Sequence, residues 1–348
     1  MKAVVQHQFG GPEVLSYEDL PDPTCGADEV IIDVEAVSIN RGLDFGARRG
    51  SYNRPVALPH VLGVDPSGMI SEMGSEVKGW ATGDRVWADF FLTCGRCEAC
   101  KSGQSRACTE TGMLGVTRHG GYAERVAVPA RNLHRIPDRL SFAEATVIAR
   151  HFPAAMYLIE ERAAIRRGET VLIMGAMGGL GSACLQLAKQ AGAIVIACVG
   201  SEQSAEGATD LGADYCVNYR EEELLQRVLE ITDQRGVDIV CENVGDPTIW
   251  KDVFGSLSMG GRLVTAGAHA GGIVELDLHR LYLNRISILG GAGVPPDGIE
   301  RALRLAEEGQ IKAPIAKILP LAQAKRGHQL VEARQTPGKI VLAPKLSN

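Results

Sequence analysis

The chain has 348 residues, which at about 150 residues per domain suggests two domains. Its hydrophobic share of 45% and charged share of 22% are typical of a globular protein and argue against wholesale disorder. The net charge of −6 offers no basic surface for nucleic acid or anionic lipid, and no apolar run approaches the roughly 18 residues that a membrane helix needs.

The first third of the chain is predicted to be β-rich, because short runs of β-branched residues are interrupted by Gly and Pro. The predicted strands are 2–6, 29–36, 68–73, 84–87 and 122–128. A helix over 141–162 is expected to lead from this part of the chain into the next.

From residue 169 onward, short apolar strands alternate with helical stretches. The predicted strands are 170–174, 194–199, 215–217, 237–241, 261–267 and 286–289, and the predicted helices are 180–191, 204–211, 221–232 and 247–257. Such alternation, with strands that are apolar throughout, indicates an α/β fold with a doubly wound parallel sheet that helices cover on both faces. A helix over 298–308 and a strand over 339–342 follow.

The segment 171–181 places a strand, a glycine turn and the start of a helix in sequence. Ala176, Gly178 and Gly181 occupy the three positions of the dinucleotide-binding fingerprint. Gly178 and Gly179 would let the backbone approach a pyrophosphate, and the helix N-terminus would supply N–H donors for it. A merely tight turn is the alternative, but the βα series that follows favours a dinucleotide site.

The end of the second predicted strand bears on which dinucleotide is bound. An acidic residue there would hold the ribose 2′-hydroxyl of NAD, whereas here Gly200 and Ser201 leave room for a 2′-phosphate. Glu202 lies nearby, but a helix start explains it equally well. Tyr219 and Arg220 follow the third strand and are expected at the adenosine end. The pattern favours NADPH over NADH.

The chain has nine cysteines, of which Cys94, Cys97, Cys100 and Cys108 lie close together. Four thiolates at this spacing close the shell of a tetrahedral ion, which predicts a structural Zn²⁺ with no open position. An iron–sulfur cluster uses the same ligands, but nothing else in the sequence suggests electron transfer. The other cysteines are scattered and are expected to be inert, unlike a secreted disulfide framework. With no signal-peptide-like start, a cytoplasmic location is expected.

Together these features resemble the medium-chain dehydrogenase/reductase superfamily. The resemblance also includes Gly120-Gly-Tyr-Ala-Glu and the closing Gly338-Lys-Ile-Val-Leu. It implies a GroES-like catalytic domain of residues 1–150 plus 291–348, with the zinc lobe at 94–108. A Rossmann cofactor domain of residues 151–290 would be inserted between them. The resemblance further implies a homodimer or homotetramer that pairs through the strand at 286–289.

The residues that would bind a catalytic zinc in this superfamily are replaced. Asn40 stands at the first cysteine position, Gly63-Val64-Asp65 replaces Gly-His-Glu, and Arg150 falls near the last cysteine. The chain is therefore similar to the quinone oxidoreductase and enoyl reductase branches, which reduce conjugated C=C bonds with NADPH. Asn40 and Tyr52 match residues of those branches. Members commonly lack the cysteine lobe, which leaves the substrate open.

Hydride addition to a conjugated carbonyl compound requires hydrogen-bond donors for the enolate and then a proton. The expected catalytic residues are Asn40, Tyr52, Arg150 and His151. Each has an alternative: a turn cap for Asn40, a rim aromatic for Tyr52, an ion pair with Glu144 or Asp65 for Arg150, and a helix histidine for His151. The expected cofactor contacts are Arg41, Gly178, Gly179, Leu180, Gly200, Ser201, Tyr219, Asn243, Ala268 and Lys339; for Arg41 and Lys339 the resemblance implies contacts to phosphates.

The leading hypothesis is an NADPH-dependent reductase that acts on a small molecule with a conjugated carbonyl: an enone, a quinone, an acrylate-type acid or an enoyl thioester. One alternative is an alcohol dehydrogenase with an atypical catalytic zinc bound by Asp65, Asp44 and a histidine, which predicts two zinc ions per chain. The other is a non-catalytic NADPH-binding protein.

Overall fold

A computed structural model describes residues 1–102, 107–334 and 336–346. The chain divides into two compact units, one of Met1–Arg150 with Leu303–Asn348 and one of His151–Ala302. Residues 291–302, assigned to the first domain from the sequence, therefore cluster with the second unit. Among the helices in the described ranges, none has the length and apolar character needed to cross a membrane.

The first unit is built around strand β3, which pairs antiparallel with β5 on one side and β9 on the other. Alternate β3 residues such as Ile32 and Val34 are buried in the core of this unit. The strands are β1 (Lys2–Gln6), β2 (Leu15–Asp19), β3 (Glu29–Ser38), β4 (His60–Val61), β5 (Ser67–Met73), β6 (Arg85–Ala88), β7 (Phe91–Leu92), β8 (Gly112–Met113), β9 (Arg125–Pro129) and β10 (Leu133–Arg135).

The predicted strand over 122–128 begins later than expected, at Arg125. Residues 120–122 instead form a turn whose N–H groups bond to the carbonyls that follow β4, including Tyr122 N–H to Leu62 at 2.9 Å. Tyr122 is completely buried before the strand starts. The β-branched residues of this stretch therefore predicted a strand that is too long at its N-terminal end.

The α-helices in the described residues of the N-terminal part are α1 (Leu43–Arg49), α2 (Glu98–Lys101) and α3 (Phe142–Met156). Helix α1 ends at Gly50, whose φ of +67° is a left-handed conformation that suits glycine. Helix α3 begins with a capping box, in which Ser141 N–H bonds to Glu144 and Glu144 N–H bonds back to Ser141 Oγ. It continues directly into a π-helical turn, Tyr157–Arg162. The helix predicted over 141–162 is therefore confirmed as one continuous helical segment.

The second unit contains the predicted alternation of strands and helices. Its elements are β11 (Thr170–Met174), α4 (Gly179–Gln190), β12 (Ile194–Val199), α5 (Glu202–Asp210), β13 (Tyr215–Asn218), α6 (Leu224–Ile231), β14 (Val237–Glu242), α7 (Trp250–Gly255), β15 (Leu257–Thr265), α8 (Leu278–Leu283) and β16 (Ser287–Gly290). Helix α6 starts later than predicted, because the N–H groups of residues 221 and 222 bond to the Asn218 carbonyl in a turn. The doubly wound α/β fold is confirmed.

The sheet of the second unit is parallel throughout, with strand order β13-β12-β11-β14-β15-β16. The order reverses between β11 and β14, and ligands bind at such switch points in open α/β sheets. At one edge, β16 pairs only with β15 in the described residues. Near this edge lie large exposed apolar side chains, among them Leu278, Tyr282 and Leu283 on α8 and Ile288 on β16.

The last part of the chain consists of α9 (Gly298–Glu307), β17 (Ile315–Pro320), α10 (Ala324–Glu332) and β18 (Lys339–Ala343). Strand β18 joins the sheet of the first unit, where Val341 lies opposite Ser38 and Leu342 opposite Val37 of β3. The strand predicted at 339–342 is confirmed. This pairing brings Lys339 beside the end of β3, where the candidate site begins.

Candidate functional site

The four clustered cysteines bring their sulfur atoms together. Cys94 Sγ lies 3.9 Å from Cys100 Sγ and 3.6 Å from Cys108 Sγ. Four thiolates around one Zn²⁺, at about 2.3 Å each, would lie about 3.8 Å apart. Among residues 1–102, 107–334 and 336–346, this is the one group of possible metal ligands found, with its ligand atoms all within 4.8 Å of one another. The residues fit a tetrahedral metal site; positions 103–106 of the lobe lie outside the described residues.

Backbone N–H groups of the lobe favour the thiolate form of Cys94. The N–H groups of Arg96 and Cys97 point to Cys94 and lower the pKa of its thiol to about 6. Cys97 N–H donates to Cys94 Sγ at 3.4 Å, and Cys94 N–H donates to Cys108 Sγ at the same distance. Since metal binding requires deprotonated sulfur, these donors lower the cost of forming the site.

The glycine loop of the second unit has the geometry that the fingerprint requires. Helix α4 starts at Gly179 directly after β11 and the turn. A Cβ at Gly181 would lie 2.2 Å from the Gly175 carbonyl oxygen, so only glycine lets the helix approach the strand end this closely. The first N–H groups of α4 therefore face the carboxyl end of β11, as a pyrophosphate site needs.

His151 lies against this loop. A Cβ at Gly179 would come within 2.4 Å of His151 Nε2, so the imidazole occupies the space beside the first residue of α4. The sequence predicted His151 as a catalytic residue and Gly179 as a cofactor contact, and the structure brings these two together within the second unit.

Gly200, at the end of β12, is bordered by the two residues that follow β13. A Cβ at Gly200 would lie 3.2 Å from the Tyr219 hydroxyl and 3.3 Å from Arg220 Nε. Ser201 caps α5 through its Oγ, which accepts from Ser204 N–H at 3.2 Å. The end of this strand thus combines a cationic side chain, a hydroxyl and a helix N-terminus, with the acidic Glu202 in the first turn of α5.

Asn243 and Ala268 lie in the loops after β14 and β15. Asn243 Oδ1 accepts from Ala266 N–H at 3.4 Å, whereas its buried Nδ2 has no hydrogen-bond partner in the described residues. Ala268 lies against Gly245, whose added Cβ would meet the Ala268 Cα at 3.2 Å. A buried amide donor without a partner at the carboxyl edge of a parallel sheet is consistent with a ligand contact at this position.

In the first unit, three buried groups meet where β3 ends. Asp65 accepts hydrogen bonds from Ser38 N–H at 2.8 Å, from Ser38 Oγ at 2.5 Å and from Asn40 Nδ2 at 2.9 Å. Asn40 Oδ1 in turn accepts from Lys339 Nζ at 3.0 Å. The side-chain amide of Asn40 therefore joins a carboxylate to an ammonium group. Its Nδ2 also contacts the Ser38 carbonyl at 3.1 Å, so both of its N–H groups have acceptors.

Asp44 holds the backbone on the other side of Asn40. Its carboxylate accepts from Asn40 N–H at 2.7 Å and from Gly63 N–H at 3.2 Å. The side chain is completely buried, and this desolvation raises the pKa of the carboxyl to about 7, with the nearby Asp65 adding to the effect. Asp44 therefore connects the two segments in which the superfamily's first two zinc ligands would stand.

A row of buried side chains leads away from Asp44. Tyr122 Oη donates to Asp44 Oδ2 at 3.2 Å and lies 3.1 Å from His328 Nε2. His328 Nδ1 lies 2.7 Å from Arg48 Nη1. Because Arg48 can only donate, His328 Nδ1 must accept and Nε2 must carry the hydrogen. Burial and the Arg48 charge lower the pKa of His328 well below its usual range, which keeps the ring neutral.

The remaining predicted residues of the first unit are half-buried. The Tyr52 ring packs on Gly46, and burial raises the pKa of its hydroxyl while Arg150 and Arg54 lower it. Arg150 stacks on Phe90, with Cζ 4.6 Å from the ring centroid. Of the two acidic residues suggested as its ion-pair partners, Glu144 accepts a hydrogen bond from Ser141, and Asp65 accepts from Ser38 and Asn40.

Arg41, expected to contact a cofactor phosphate, lies in a cationic environment. Burial and the nearby charges of Arg334 and Arg49 lower the pKa of its guanidinium group. Such a concentration of positive charge suits an anionic ligand.

Sequence reasoning missed Arg48, Tyr122 and His328, and it named Asp44 only as a hypothetical zinc ligand. The polar character of helix α10 gave no signal for His328, which contacts a residue 280 positions away. Arg48 is charged and lies in a short helix, which favours a surface position, yet it is completely buried. Tyr122 could have been found as the aromatic residue within the Gly120–Glu124 motif.

The cysteine quartet predicts one tightly held zinc ion per chain. Cys108→Ser should remove most of the metal and lower the apparent melting temperature, because metal ligation can contribute on the order of 10 kcal/mol to folding. Metal content by plasma mass spectrometry and thermal unfolding would measure both effects. Cys25→Ser, outside the cluster, is the control and should keep the metal. Iron in place of zinc, or unchanged metal in Cys108→Ser, would refute the assignment.

The raised pKa of Asp44 predicts a pH-dependent stability difference between the wild type and Asp44→Asn. The native carboxyl keeps its proton to about pH 7, whereas in the unfolded chain its pKa is the ordinary aspartate value of 3.8. Between these values the native state binds more protons, so the wild type should lose stability relative to the variant as the pH rises. At about 1.4 kcal/mol per pH unit the change is on the order of 4 kcal/mol.

Urea unfolding at pH 4, 5.5, 7 and 8 would measure this difference in the free energy of unfolding. Asp138→Asn, at an exposed position, controls for the loss of one carboxylate. A difference between wild type and Asp44→Asn that is the same at all four pH values would contradict the prediction.

Comparisons with known proteins agree with this geometry. Residues 26–138 match the family model for the alcohol dehydrogenase GroES-like domain, and residues 179–308 match the model for zinc-binding dehydrogenases. A crystal structure of an NAD-dependent alcohol dehydrogenase superposes with a TM-score of 0.91 at 38% identity and covers 99% of both chains.

Two relatives have names that point to the reduction of other substrates. The acryloyl-coenzyme A reductase of Sulfurisphaera tokodaii is 30% identical over 99% of this chain and all of its own length. The quinone oxidoreductase of Pseudomonas aeruginosa is 31% identical over 97% of each chain. The chain therefore belongs to the medium-chain dehydrogenase/reductase family, among its zinc-binding dehydrogenases.

Proposed function

We propose that this oxidoreductase uses NADPH to reduce an activated C=C bond, with no catalytic zinc. The substrate would be an enone, a quinone, an acrylate-type acid or an enoyl thioester. Hydride addition at the β-carbon of such a compound moves charge to the carbonyl oxygen, so hydrogen-bond donors can do what a Lewis-acid zinc does for an alcohol.

The arrangement of Asp65, Asn40 and Lys339 is the observation that carries this proposal. Both Asp65 oxygens already accept hydrogen bonds from Ser38 and Asn40, so a catalytic zinc would have to compete with these donors for the carboxylate. The Lys339 ammonium group is bonded to Asn40, at the position of the first superfamily ligand. A cation fixed there would repel a second, divalent one.

The names of two relatives support the same reaction class. An acryloyl-coenzyme A reductase and a quinone oxidoreductase both act on conjugated systems by their names, and both match nearly the whole chain. They do not separate an acyl thioester from a quinone or a simple enone as the substrate of this chain.

The cofactor would be held in the second unit. The proposed contacts are Gly178, Gly179 and Leu180 at the start of α4 for the pyrophosphate, Gly200, Ser201 and Tyr219 at the adenosine end, and Asn243 and Ala268 in the following loops. Two features fit a bound dinucleotide: the close packing at Gly181, and the buried Asn243 Nδ2, which has no hydrogen-bond partner in the described residues. When bound, NADPH supplies the hydride. Arg41 remains a proposed phosphate contact from the first unit.

The chain's own residues would bind and polarise the substrate carbonyl. Tyr52 and Arg150 are half-buried and carry donors, and the stacking of Arg150 on Phe90 fixes the guanidinium plane. His151 is proposed as a further donor beside the glycine loop. Asn40 contributes by holding Lys339 and Asp65 in place, since its own amide hydrogens already have acceptors.

An alcohol dehydrogenase that uses an atypical zinc is the second candidate, and the similarity to a solved NAD-dependent alcohol dehydrogenase favours it. It requires Asp65 and Asp44 to exchange their hydrogen bonds from Asn40, Gly63 and Ser38 for a metal ion. It also requires a second zinc ion per chain, which is a measurable difference from the first candidate.

We further propose that the protein is a homodimer or homotetramer paired through β16. This strand is an edge of its sheet, and Ile288 on it is 39% exposed. Leu278 and Tyr282 on the adjacent α8 are also largely exposed, and apolar side chains in such numbers at a sheet edge favour burial against a second copy.

The reaction is tested at 340 nm by NADPH oxidation with methyl vinyl ketone, 1,4-benzoquinone and acryloyl-CoA. Alcohol oxidation is tested by NADP⁺ reduction with primary and secondary alcohols. Zinc per chain is measured on the same protein, purified without added metal. We expect turnover with at least one conjugated acceptor and one zinc ion. Two zinc ions with alcohol oxidation would establish the second candidate. Tight NADPH binding without turnover on any compound would indicate a non-catalytic binding protein.

The residues around Gly200 predict a preference for NADPH that depends on Arg220. Arg220→Ala should raise the KM for NADPH about tenfold or more, because one charge-assisted contact to the 2′-phosphate is lost, and change the KM for NADH less than threefold. Steady-state kinetics with both cofactors would measure this. Arg227→Ala, an exposed arginine on α6, is the control. If Arg220→Ala raised the KM for NADPH and the KM for NADH equally, Arg220 would not be a contact of the 2′-phosphate.

A further inference from the structure

Lys339 lies in a setting unlike that of a surface cation. Its Nζ donates to the Ile39 carbonyl at 2.6 Å and to Asn40 Oδ1 at 3.0 Å, and only 7% of the residue is exposed. These two bonds use two of its three N–H groups within the described part of the chain. The third N–H group has no acceptor among the described residues, at a position held by β18 and the end of β3.

We propose that the Lys339 ammonium group is the acid that protonates the reduced substrate, an inference that rests on the proposed function. The substrate gains a hydride at its β-carbon, and the electron pair of the C=C bond moves to the carbonyl oxygen. An N–H bond of Lys339 then breaks, and its proton goes to the α-carbon as the carbonyl forms again. The neutral amine takes a proton from water before the next turnover.

The other polar groups of this part of the first unit are poor acids for this step. An amide such as that of Asn40 binds hydrogen but does not release it near neutral pH, and the guanidinium group of Arg150 keeps its proton in proteins. Burial raises the pKa of the Tyr52 hydroxyl above its usual 10. Asp44 is completely enclosed, with both oxygens bonded to backbone N–H groups.

The charges that face Lys339 adjust its acidity. Burial lowers the pKa of the ammonium group to about 8, and Arg150 on α3 lowers it as well. Asp65, after β4, raises it, and so does Asp44 on α1 in its ionised form, so the ammonium form stays populated at neutral pH. An acid with a pKa near the working pH is both charged before the step and able to release its proton in it.

The bonds between Asn40 and its neighbours make this acid a fixed one. Asn40 Oδ1 holds Lys339 Nζ while Asn40 Nδ2 is held by Asp65, so the amide cannot turn over without losing both bonds. In this arrangement Asn40 and Asp65 are positioning residues, and Lys339 is the catalytic residue. An arginine at position 339 would retain the positive charge and could still contact a phosphate. It could not release the proton that the step requires.

Lys339→Arg and Lys339→Met separate this role from the expected phosphate contact. Each variant is compared with the wild type for NADPH affinity, by quenching of protein fluorescence, and for kcat between pH 6 and 10 with the acceptor that the wild type reduces best. Arg41→Met, the other expected phosphate contact, serves as the comparison for a loss of cofactor affinity. Circular dichroism and melting temperature establish that each variant is folded.

We expect Lys339→Arg to bind NADPH within threefold of the wild type and to lose about 100-fold or more in kcat, as is typical when a general acid is removed. The wild-type kcat should fall above about pH 8, and the variant should lack this limb. Turnover of Lys339→Arg within threefold of the wild type overturns the proposal. The proposal is also overturned if Lys339→Arg and Lys339→Met bind NADPH more weakly, as Arg41→Met is expected to, while their kcat stays at the wild-type value. A wild type inactive on every conjugated acceptor overturns the proposed function itself.

Discussion

The arrangement of the first unit depends on charges buried at the end of β3. Asp65, Asn40 and Lys339 form one hydrogen-bonded group, and each satisfies a donor or an acceptor that would otherwise be costly inside the protein. Because three separate parts of the chain supply these residues, the group fixes the turn after β3, the loop after β4 and the start of β18 in one geometry. Removal of any one of the three would leave a buried donor, acceptor or charge of the others without its partner.

A second buried row extends from this group through Asp44, Tyr122 and His328 to Arg48. Its hydrogen bonds run in one direction, since Arg48 only donates, His328 donates from Nε2 and Tyr122 donates to Asp44. Arg48 cannot give up a proton, so the row does not carry protons in from the surface. Its physical role is to hold Asp44, and through it the backbone at Asn40 and Gly63.

Most strands and helices of the second unit could be predicted from the sequence, because the strands are short apolar runs whose ends are marked by glycine or a helix cap. Strands such as β11 and β12 begin and end where predicted. Helix α8 of this unit was missed, as were α10 and β17 of the first unit. Helix α10 has a polar sequence, and in β17 only Pro320 is buried. The cysteine quartet was found from spacing alone, since all of its members lie within one short segment.

The buried row could not be predicted in the same way. Its members are separated by up to 280 residues, and a single sequence contains no signal that joins Arg48 to His328. The residue types also mislead, because an arginine in a short helix favours the surface. The predicted roles of Tyr52, Arg150 and His151 depend on a bound substrate and stay predictions.

The return of β18 to the sheet of the first unit has a consequence for how the protein is made. Strand β3 emerges from the ribosome long before its neighbour β18, and the complete second unit is synthesised between them. The second unit is contiguous in sequence and can fold as soon as it has emerged, whereas the end of β3 at Val37 and Ser38 lacks its β18 partner until the last strand has been made. During this interval the nascent chain leaves the apolar Val37 and its neighbour Ser38 without a partner strand, and unpaired strand residues of this kind can pair with other chains.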